Sequence, residues 1–296
     1  MSKIIFLGTT CMQPTKDRNH SGIFFSHGKE NVLFDCGEGI QRQMRIAGLK
    51  PSKITRIMLS HWHGDHVLGL PGLLSTMGSD QYSKILHIYG PKGTKKYFGY
   101  MKKAFPNKNN LSVKIHEVSS EIIYKDKEIC FISQKLKHSI PCLGYSFIEK
   151  ERLKINVTKA KKLGLKGPIL GKIQSRKNVV FEGKKINFKD VTLVVKSKKL
   201  SYVADTRPCA GANNLAKNAN LLICESTYHS KDLDIAKDHS HMTSKEAAEL
   251  AKNGNVKKLI LTHPSLRYKK TDELVKDAKK VFRKVIFAKD FMEVEF

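Results

Sequence analysis

The sequence is poor in acidic residues, in tryptophan and in long apolar runs. Its 296 residues include 27 Asp and Glu against 54 Lys and Arg, and a single Trp. The apolar run nearest the start, residues 4–7, is far too short for the hydrophobic part of a signal peptide, and no segment approaches a membrane span. We therefore expect a cytoplasmic protein with no membrane anchor.

Cysteine is also used sparingly. The six cysteines are scattered and form no Cys-x-x-Cys pair; they are Cys11, Cys36, Cys130, Cys142, Cys209 and Cys224. This spacing excludes a cysteine zinc knuckle and is unlike a disulfide framework. It indicates a protein of a reducing compartment.

The excess of basic residues gives a formal net charge of +27. Such a charge attracts polyanions, of which nucleic acid is the commonest and an anionic membrane surface the next. Lysine enrichment is also produced by genome composition or a hot habitat. Part of the charge is concentrated, because residues 149–200 hold 16 Lys and Arg against 4 Asp and Glu.

The densest chemical signal lies at residues 60–66, which read Ser-His-Trp-His-Gly-Asp-His. His61, His63, Asp65 and His66 follow directly after an apolar run, residues 54–59, that predicts a buried strand. Imidazole and carboxylate together suit zinc. Because Asp65 and His66 are adjacent, they must point differently from His61 and His63, which indicates two metal positions.

Strand-like and helix-like segments alternate along the chain and predict an α/β fold. Strands are expected at residues 3–7, 23–26, 32–34, 54–59, 85–89, 113–118, 129–133, 144–148, 191–195, 200–204, 221–224, 259–261, 285–287 and 292–296. Helices are expected at residues 40–47, 67–77, 94–104, 244–252 and 273–282, with Thr243 or Ser244 as the N-cap of the fourth. Further metal-type residues follow several of these strands, namely His138, Asp205 and His263. Each alone would suit an ordinary core histidine or a turn aspartate.

These motifs closely resemble those of the ribonuclease Z family of metallo-β-lactamase-fold hydrolases. The matching stretches are residues 7–9, 14–18, 34–39, 60–74, 89–93, 138–145, 204–207, 241–243, 261–263 and 267–268. The His-x-His-x-Asp-His core alone indicates only the superfamily. The continuation His-Val-Leu-Gly-Leu-Pro-Gly-Leu-Leu and the later Leu-Lys-Gly-Pro narrow the resemblance from the superfamily to the ribonuclease Z family. Three positions depart from the usual family pattern without removing a ligand: Ala204, Met242 and Pro264.

The resemblance implies a four-layer αββα sandwich over residues 1–296, with a protruding basic arm inserted at residues 149–190. It implies a zinc-dependent endoribonuclease that removes the 3′ trailer from precursor tRNA and leaves a 3′-hydroxyl on the tRNA and a 5′-phosphate on the trailer. One zinc would be held by His61, His63 and His138, a second by Asp65, His66 and His263, with Asp205 bridging. Manganese stays open as an alternative metal.

Proton transfer is assigned by the same resemblance. Asp65 would orient the nucleophile or accept its proton, and His241 would protonate the leaving 3′-oxygen. His239 is a competitor for that role from the sequence alone. Glu225 would either orient His241 or be a plain surface or capping carboxylate.

The arm would grip the tRNA elbow, and the family forms a homodimer in which one subunit's arm serves the other subunit's site. The centre of the arm, residues 163–172, contains apolar residues that we expect to be exposed. The alternative to an RNA-binding arm is a solvated, lysine-rich surface loop without a binding role. Lys16, Arg18 and Arg267 would hold the acceptor end. The residues expected in the arm to shape it or meet phosphates are Lys161, Lys162, Lys166, Gly167, Pro168, Lys172, Arg176 and Lys177.

Two other functions stay open at this level. One is another phosphodiesterase or nuclease of the same superfamily, acting on small cyclic phosphodiesters or other RNA. The other is a non-catalytic RNA-binding protein on the same scaffold, which the complete ligand set argues against.

Overall fold

Two seven-stranded sheets organise the chain in the computed structural model, which describes residues 2–106 and 111–296. The first sheet contains β1 (Lys3–Gly8), β2 (Gly22–His27), β3 (Glu30–Phe34), β4 (Arg56–Met58), β5 (Leu86–Gly90), β6 (Val113–Glu117) and β18 (Glu293–Glu295). Its spatial order is β18-β1-β2-β3-β4-β5-β6. The sheet is mixed, because β18 to β3 pair antiparallel and β3 to β6 pair parallel.

The second sheet has the spatial order β17-β16-β15-β14-β9-β8-β7. Its strands are β7 (Glu121–Lys125), β8 (Ile129–Leu136), β9 (Cys142–Glu149), β14 (Lys198–Val203), β15 (Leu221–Glu225), β16 (Lys258–Thr262) and β17 (Val285–Phe287). Strands β14 to β17 are parallel. Parallel strands end at one edge of a sheet, so the loops that follow them meet there.

Helices cover the outer faces of both sheets. Against the first sheet lie α1 (Ile40–Ile46), α2 (Gly64–Val67), α3 (Leu70–Ser79) and α4 (Thr94–Ala104). Against the second lie α7 (Ala210–Ala216), α8 (Leu233–Asp238), α9 (Ser244–Asn253) and α10 (Asp272–Lys279). The central strands β1, β4, β9 and β15 are buried on both faces, which explains why they form nearly continuous apolar runs.

The inner faces of the two sheets meet through aromatic side chains. The Phe34 ring on β3 lies 6.2 Å from that of Tyr145 and 5.7 Å from that of Tyr202, between ring centroids. The Tyr145 hydroxyl donates to the carbonyl of Leu59. Helix, sheet, sheet and helix therefore form four layers, and the predicted αββα fold is confirmed.

The chain divides into two compact units. The first comprises Met1–Ile123, Ile132–Ser146 and Leu200–Phe296, and the second Tyr124–Phe131 and Phe147–Lys199. The second unit contains the basic segment 149–190. Its further elements are β10 (Arg152–Ile155), α5 (Val157–Lys162), α6 (Pro168–Gln174), β11 (Val179–Phe181), β12 (Lys184–Ile186) and β13 (Thr192–Val195).

The basic unit has a hydrophobic core of its own, although its sequence suggests exposed apolar residues. The buried members are Ala160, Leu165, Ile173, Val179, Ile186 and Val191. The expectation of exposure is wrong for Leu165, which is 5% exposed, because the turn between α5 and α6 directs it into the cluster with Ala160 and Ile173. Leu163 remains exposed.

Most predicted elements are confirmed, apart from shifts of a few residues at their ends. The helix expected at residues 67–77 is instead two helices, α2 and α3, which meet at Gly69. A Cβ on Gly69 would lie 2.1 Å from the carbonyl oxygen of Gly37, so the backbones approach closely there. Pro71 stands in the first turn of α3, where its missing N–H costs nothing. Thr243 is the N-cap of α9.

None of the described helices is long and apolar enough to cross a membrane.

Candidate metal centre and active site

The predicted metal ligands come from four separate strand ends. His61 and His63 follow β4, His138 follows β8, Asp205 follows β14 and His263 follows β16. All these residues belong to the first compact unit. The parallel pairing of β14, β15 and β16 brings Asp205 and His263 to one edge of the second sheet. The packing of the two sheets places His61, after β4 of the first sheet, 3.6 Å from Asp205.

The single turn of α2 separates the two halves of the histidine motif. His63 is its N-cap, and Asp65 and His66 lie within the turn. The His66 N–H donates to the carbonyl of His63 (3.0 Å). This turn directs Asp65 and His66 to a different place from His61 and His63, as the sequence predicts.

The first group of ligand atoms comes from His61, His63, His138 and Asp205. His63 Nδ1 lies 3.0 Å from His61 Nε2 and 3.2 Å from His138 Nε2. Asp205 Oδ2 lies 3.6 Å from His61 Nε2. Three imidazoles and a carboxylate thus point at one place.

The second group comes from Asp65, His66 and His263. His66 Nε2 lies 3.3 Å from His263 Nε2 and 3.5 Å from Asp65 Oδ2. Asp205 Oδ2 is 3.5 Å from His66 Nε2, and its Oδ1 is 3.4 Å from His263 Nδ1. Asp205 therefore stands between the two groups.

The chemistry of this donor set fits a cation. Asp205 is 3% exposed, and its Oδ1 accepts no hydrogen bond from the described residues, an arrangement that a metal ion would satisfy. Burial lowers the pKa of His61 and of His63, so both present unprotonated nitrogens. Burial opposes ionisation of Asp205, but His263 and His66 outweigh it and hold its pKa well below the usual range. A set of imidazoles and carboxylates suits zinc.

The opposite ring nitrogens of the histidines are held by oxygen atoms. His66 Nδ1 lies 2.9 Å from Asp35 Oδ2, and His61 Nδ1 lies 2.9 Å from Ser60 Oγ. His138 Nδ1 lies 3.0 Å from the carbonyl oxygen of Ser240. Such contacts fix the orientation of a metal-binding imidazole.

Asp35 is the centre of that supporting network. It is fully buried, and it accepts from the Ser60 N–H (2.7 Å), the Ser60 hydroxyl (2.8 Å) and the Tyr202 hydroxyl (2.7 Å). Its backbone has φ 56°, a conformation rare for a residue with a side chain. The sequence shows Asp35 within a family motif but suggests no role for it, since its partners are remote in the chain.

His241 lies beside the ligands and is held by Glu225. His241 Nδ1 is 3.1 Å from Glu225 Oε1 and 4.0 Å from Asp205 Oδ2. Burial would lower the pKa of His241, but the carboxylates of Glu225 and Asp205 more than offset it and raise the pKa to about 9. His241 is thus arranged to carry a proton.

His239 has a different environment. It is exposed, and its ring stacks on that of Tyr228 with centroids 6.3 Å apart and an interplanar angle of 20°. Of the two histidines, His241 is the one paired with Glu225. Sequence spacing does not separate them, because both lie just before α9.

A cleft of about 690 Å³ opens over the ligands. Its lining includes His63, Asp65, His138, Asp205, His239, His241 and His263. A cleft of this size is within the usual range for ligand sites. It gives a phosphodiester access to the ligands and to His241.

Most of the predicted RNA-binding residues belong to a different compact unit from the metal-type residues. All but Arg267 belong to the second unit, and each of these is exposed: Lys161, Lys162, Lys166, Gly167, Pro168, Lys172, Arg176 and Lys177. Arg176 pairs with Glu151 at 2.9 Å. Gly167 has φ 65° and ψ −147°, which only glycine adopts readily, and it precedes α6.

Arg267 and Arg18 are partly engaged within the first unit. Arg267 Nη1 lies 3.1 Å from Asp232 Oδ1, and its guanidinium lies over the ring of Tyr228. Arg18 Nη1 donates to the Thr9 hydroxyl and to the carbonyl of Ala288. Lys16 is exposed and has no ion pair among the described residues.

The model of one protein family matches part of the chain. The family described as Anti-Pycsar protein Apyc1 matches residues 2–139, which include the histidine motif.

Curated relatives match over nearly the whole length. "Ribonuclease Z" of Methanothermobacter thermautotrophicus is 41% identical over 298 residues, covering 100% of this chain and 97% of the relative. "Ribonuclease Z" of Chlamydia muridarum is 38% identical over 294 residues, covering 99% and 97%.

Solved structures match the whole fold. Human tRNase Z, short form, has a TM-score of 0.73 and 27% identity, covering 99% of this chain and 98% of that one. The metallo-β-lactamase fold protein YhfI of Bacillus subtilis has a TM-score of 0.72 at 21% identity, which supports the fold alone. With its ligands at the strand ends and full-length relatives at this identity, the chain belongs to the ribonuclease Z family of the metallo-β-lactamase superfamily and is an endoribonuclease.

Proposed function

We propose that this chain removes the 3′ trailer from precursor tRNA. The observation that carries the proposal is the convergence of seven metal-type ligands beside His241, in a chain that belongs to the ribonuclease Z family. The products would be a tRNA with a 3′-hydroxyl and a trailer with a 5′-phosphate. The general acid must then act on the oxygen that stays with the tRNA.

The ligand geometry supports two zinc ions per subunit, with manganese as the alternative metal. His61, His63 and His138 would hold one ion, Asp65, His66 and His263 the other, and Asp205 both. Zinc in these positions supplies Lewis-acid chemistry, which activates a water near neutral pH and stabilises charge on a phosphodiester.

Asp65 is placed to orient the attacking water or to accept its proton. Its Oδ2 accepts the Met12 N–H (2.9 Å) and lies 3.4 Å from His263 Nε2. These contacts fix one oxygen of the carboxylate. An aspartate so restrained presents its charge in one direction.

His241 is the proposed general acid, and Glu225 is its positioning residue. Glu225 Oε1 faces His241 Nδ1, so the Nε2 edge of the ring is the one left for substrate. The Met242 N–H donates to the same oxygen (3.0 Å), which fixes the backbone next to His241. Glu225 therefore holds both the side chain and its loop.

The second compact unit is proposed to bind tRNA. Its exposed lysines form a basic surface on a unit with its own core, and phosphate contacts of this kind recognise shape rather than sequence. This suits an enzyme that accepts many tRNAs. Arg267 would contact the acceptor end.

We further propose a cytoplasmic homodimer in which the basic unit of one subunit presents tRNA to the other subunit's site. The family resemblance supports this arrangement. Mixing a His66→Ala subunit with a subunit altered only in the basic unit should then restore cleavage. No recovery in a mixed dimer would contradict it.

The decisive test is single-turnover cleavage of a precursor tRNA with a 3′ trailer. We expect His66→Ala to abolish cleavage and His241→Ala to slow it by about 10²–10⁴-fold. Replacing Lys161, Lys162 and Lys166 by Gln should weaken tRNA binding and spare hydrolysis of a small phosphodiester. This variant is preferable to deleting residues 163–176, because Leu165 and Ile173 belong to the core of that unit.

Two outcomes would favour the other functions. A wild-type protein that hydrolyses a small phosphodiester but leaves precursor tRNA intact would be a different phosphodiesterase of the superfamily. A protein that binds RNA without stoichiometric metal and without hydrolysis would be a binding module.

A further inference from the structure

A second cleft lies directly beside the catalytic cleft in the first unit. Its volume, about 690 Å³, equals that of the catalytic cleft, and the two share Ser265 and Leu266 in their linings. The lining of the second cleft also includes Lys16, Lys269, Lys270 and Lys289. We call it the lysine cleft.

The wall between the clefts is held firmly. The Ser265 N–H donates to the carbonyl of Thr227 (3.0 Å), and the Tyr268 N–H donates to the carbonyl of Ser265 (3.1 Å). Tyr268 is buried, and its hydroxyl donates to Asp232. A strand that leaves the catalytic cleft across Ser265 and Leu266 therefore enters a preformed space.

The four lysines are available for a ligand. All four are exposed, and none has an ion pair among residues 2–106 and 111–296. The acidic groups in the lining are Asp17, Asp272 and Asp290. Asp290 already accepts from the Thr9 hydroxyl, the Asn19 N–H and the Gln43 amide.

The cationic floor of the cleft is fixed as well. Arg18 donates to Thr9 and to the carbonyl of Ala288, and its guanidinium lies 5.5 Å from the centroid of the Phe287 ring. Arg18 forms no ion pair with a carboxylate among the described residues, so its positive charge adds to that of the lysines. The lysines and Arg18 outnumber the carboxylates, so the cleft attracts an anion.

We infer that the lysine cleft binds the phosphates of the single-stranded 3′ trailer. The inference rests on the proposed function, in which cleavage falls at the junction of a folded tRNA and an unpaired trailer. A duplex needs a broad surface, whereas an unpaired strand fits a narrow cleft that tracks its backbone. Lysine contacts to phosphates carry no sequence information, which suits trailers of differing sequence.

The test compares precursor tRNAs whose trailers are one and six nucleotides long. The variant Lys269→Gln, Lys270→Gln, Lys289→Gln should lower kcat/KM about tenfold on the long trailer and less than about twofold on the short one. Because each lost phosphate contact on a single strand removes about 0.7 from the slope of log K against log salt, the slope should fall by about 2.

A matched control removes the same charge elsewhere. Lys84, Lys252 and Lys258 are exposed and lie outside both clefts, so their replacement by Gln should leave the dependence on trailer length unchanged. Hydrolysis of bis(p-nitrophenyl) phosphate at the wild-type rate by both variants shows that the site is intact.

Three results would overturn the inference. The first is an equal loss of kcat/KM on both precursors, which would place the tRNA itself in the cleft. The second is no loss of kcat/KM on either precursor. The third is the same loss of kcat/KM in the control variant. The proposed function fails separately, through a wild-type protein that cleaves neither precursor.

Discussion

Replacing Glu225 by Gln tests the proton-transfer half of the site. Glu225 is 1% exposed, and both of its oxygens are in use. Oε1 accepts from the N–H groups of Thr206 (2.9 Å) and Met242 (3.0 Å) and faces His241 Nδ1. Oε2 accepts from the N–H (3.1 Å) and hydroxyl (2.7 Å) of Thr227. A glutamine offers an amide group in place of one of these oxygens.

The hydrogen bonds around Glu225 determine which of its two oxygens the amide nitrogen replaces with the smaller loss of stability. At Oε1 it would face two backbone donors that cannot turn away. At Oε2 the Thr227 hydroxyl can rotate and accept, so only the Thr227 N–H loses its acceptor. One unsatisfied buried donor costs about 1–3 kcal/mol, and we expect that loss in the free energy of unfolding.

The chemical step should be slowed as well. With oxygen kept at Oε1, His241 keeps its hydrogen bond, but the partner is no longer charged and holds the ring less firmly in the orientation for proton donation. The hydrogen bond is weaker by about 1.5 kcal/mol, so fewer molecules have the ring aligned and the single-turnover rate for precursor tRNA should fall by up to about tenfold. Affinity for tRNA should stay within about twofold, since Glu225 is buried away from solvent.

A substrate with a good leaving group separates proton donation from the rest of catalysis. Nitrophenolate departs without a proton, so Glu225→Gln should hydrolyse bis(p-nitrophenyl) phosphate nearly as fast as wild type. Asp277→Asn is the control, because it also disturbs a buried, hydrogen-bonded carboxylate but one that does not contact His241. Equal slowing of both substrates by Glu225→Gln would refute the assignment of His241 and Glu225 to the leaving group.

Three further changes test the supporting structure. Asp35→Asn weakens the hold on His66, so zinc affinity should fall about 10–100-fold in a competition assay with a chelator, whereas unchanged affinity would exclude the supporting role. Burial opposes ionisation of Asp277, but hydrogen bonds from Ser244 and Ser230 outweigh it and lower its pKa. The stability that ionised Asp277 contributes is therefore present above the unfolded pKa of about 4 and is lost as the pH falls through the folded pKa. The free energies of unfolding of wild type and Asp277→Asn in urea should differ at pH 7 and converge in acid. Gly37→Ala would place a Cβ 2.3 Å from the Asp65 carbonyl oxygen, and we expect a loss of about 1–3 kcal/mol in the free energy of unfolding together with reduced metal content.

The grouping of metal-type side chains at residues 61–66 can be predicted because its information is local. Four such side chains fall within six residues after one strand, so one short turn keeps them close together. The apolar runs likewise predict the strands, since strands covered on both faces leave little choice of residue. The family match and the αββα fold follow from the same stretches and are confirmed.

Some helices and strands carry too weak a local signal to be predicted. Strand β7 is largely exposed, and α7 and α8 are short segments whose buried residues are mainly small. The core of the basic unit is also hidden, because Leu165 is surrounded in sequence by glycine and lysine. Tertiary packing, rather than periodicity, makes these segments regular.

The sequence by itself determined the kind of chemistry: which metal-type residues are present, which strand each follows and which family the chain resembles. Tertiary structure alone decided the pairing of Glu225 with His241 rather than His239, the burial of Asp35 behind His66 and the meeting of Lys16 with Lys269 and Lys289 in one cleft. Those contacts join positions far apart in the chain. Residue spacing fixes only neighbours, whereas distant partners are chosen by the order and register of the strands.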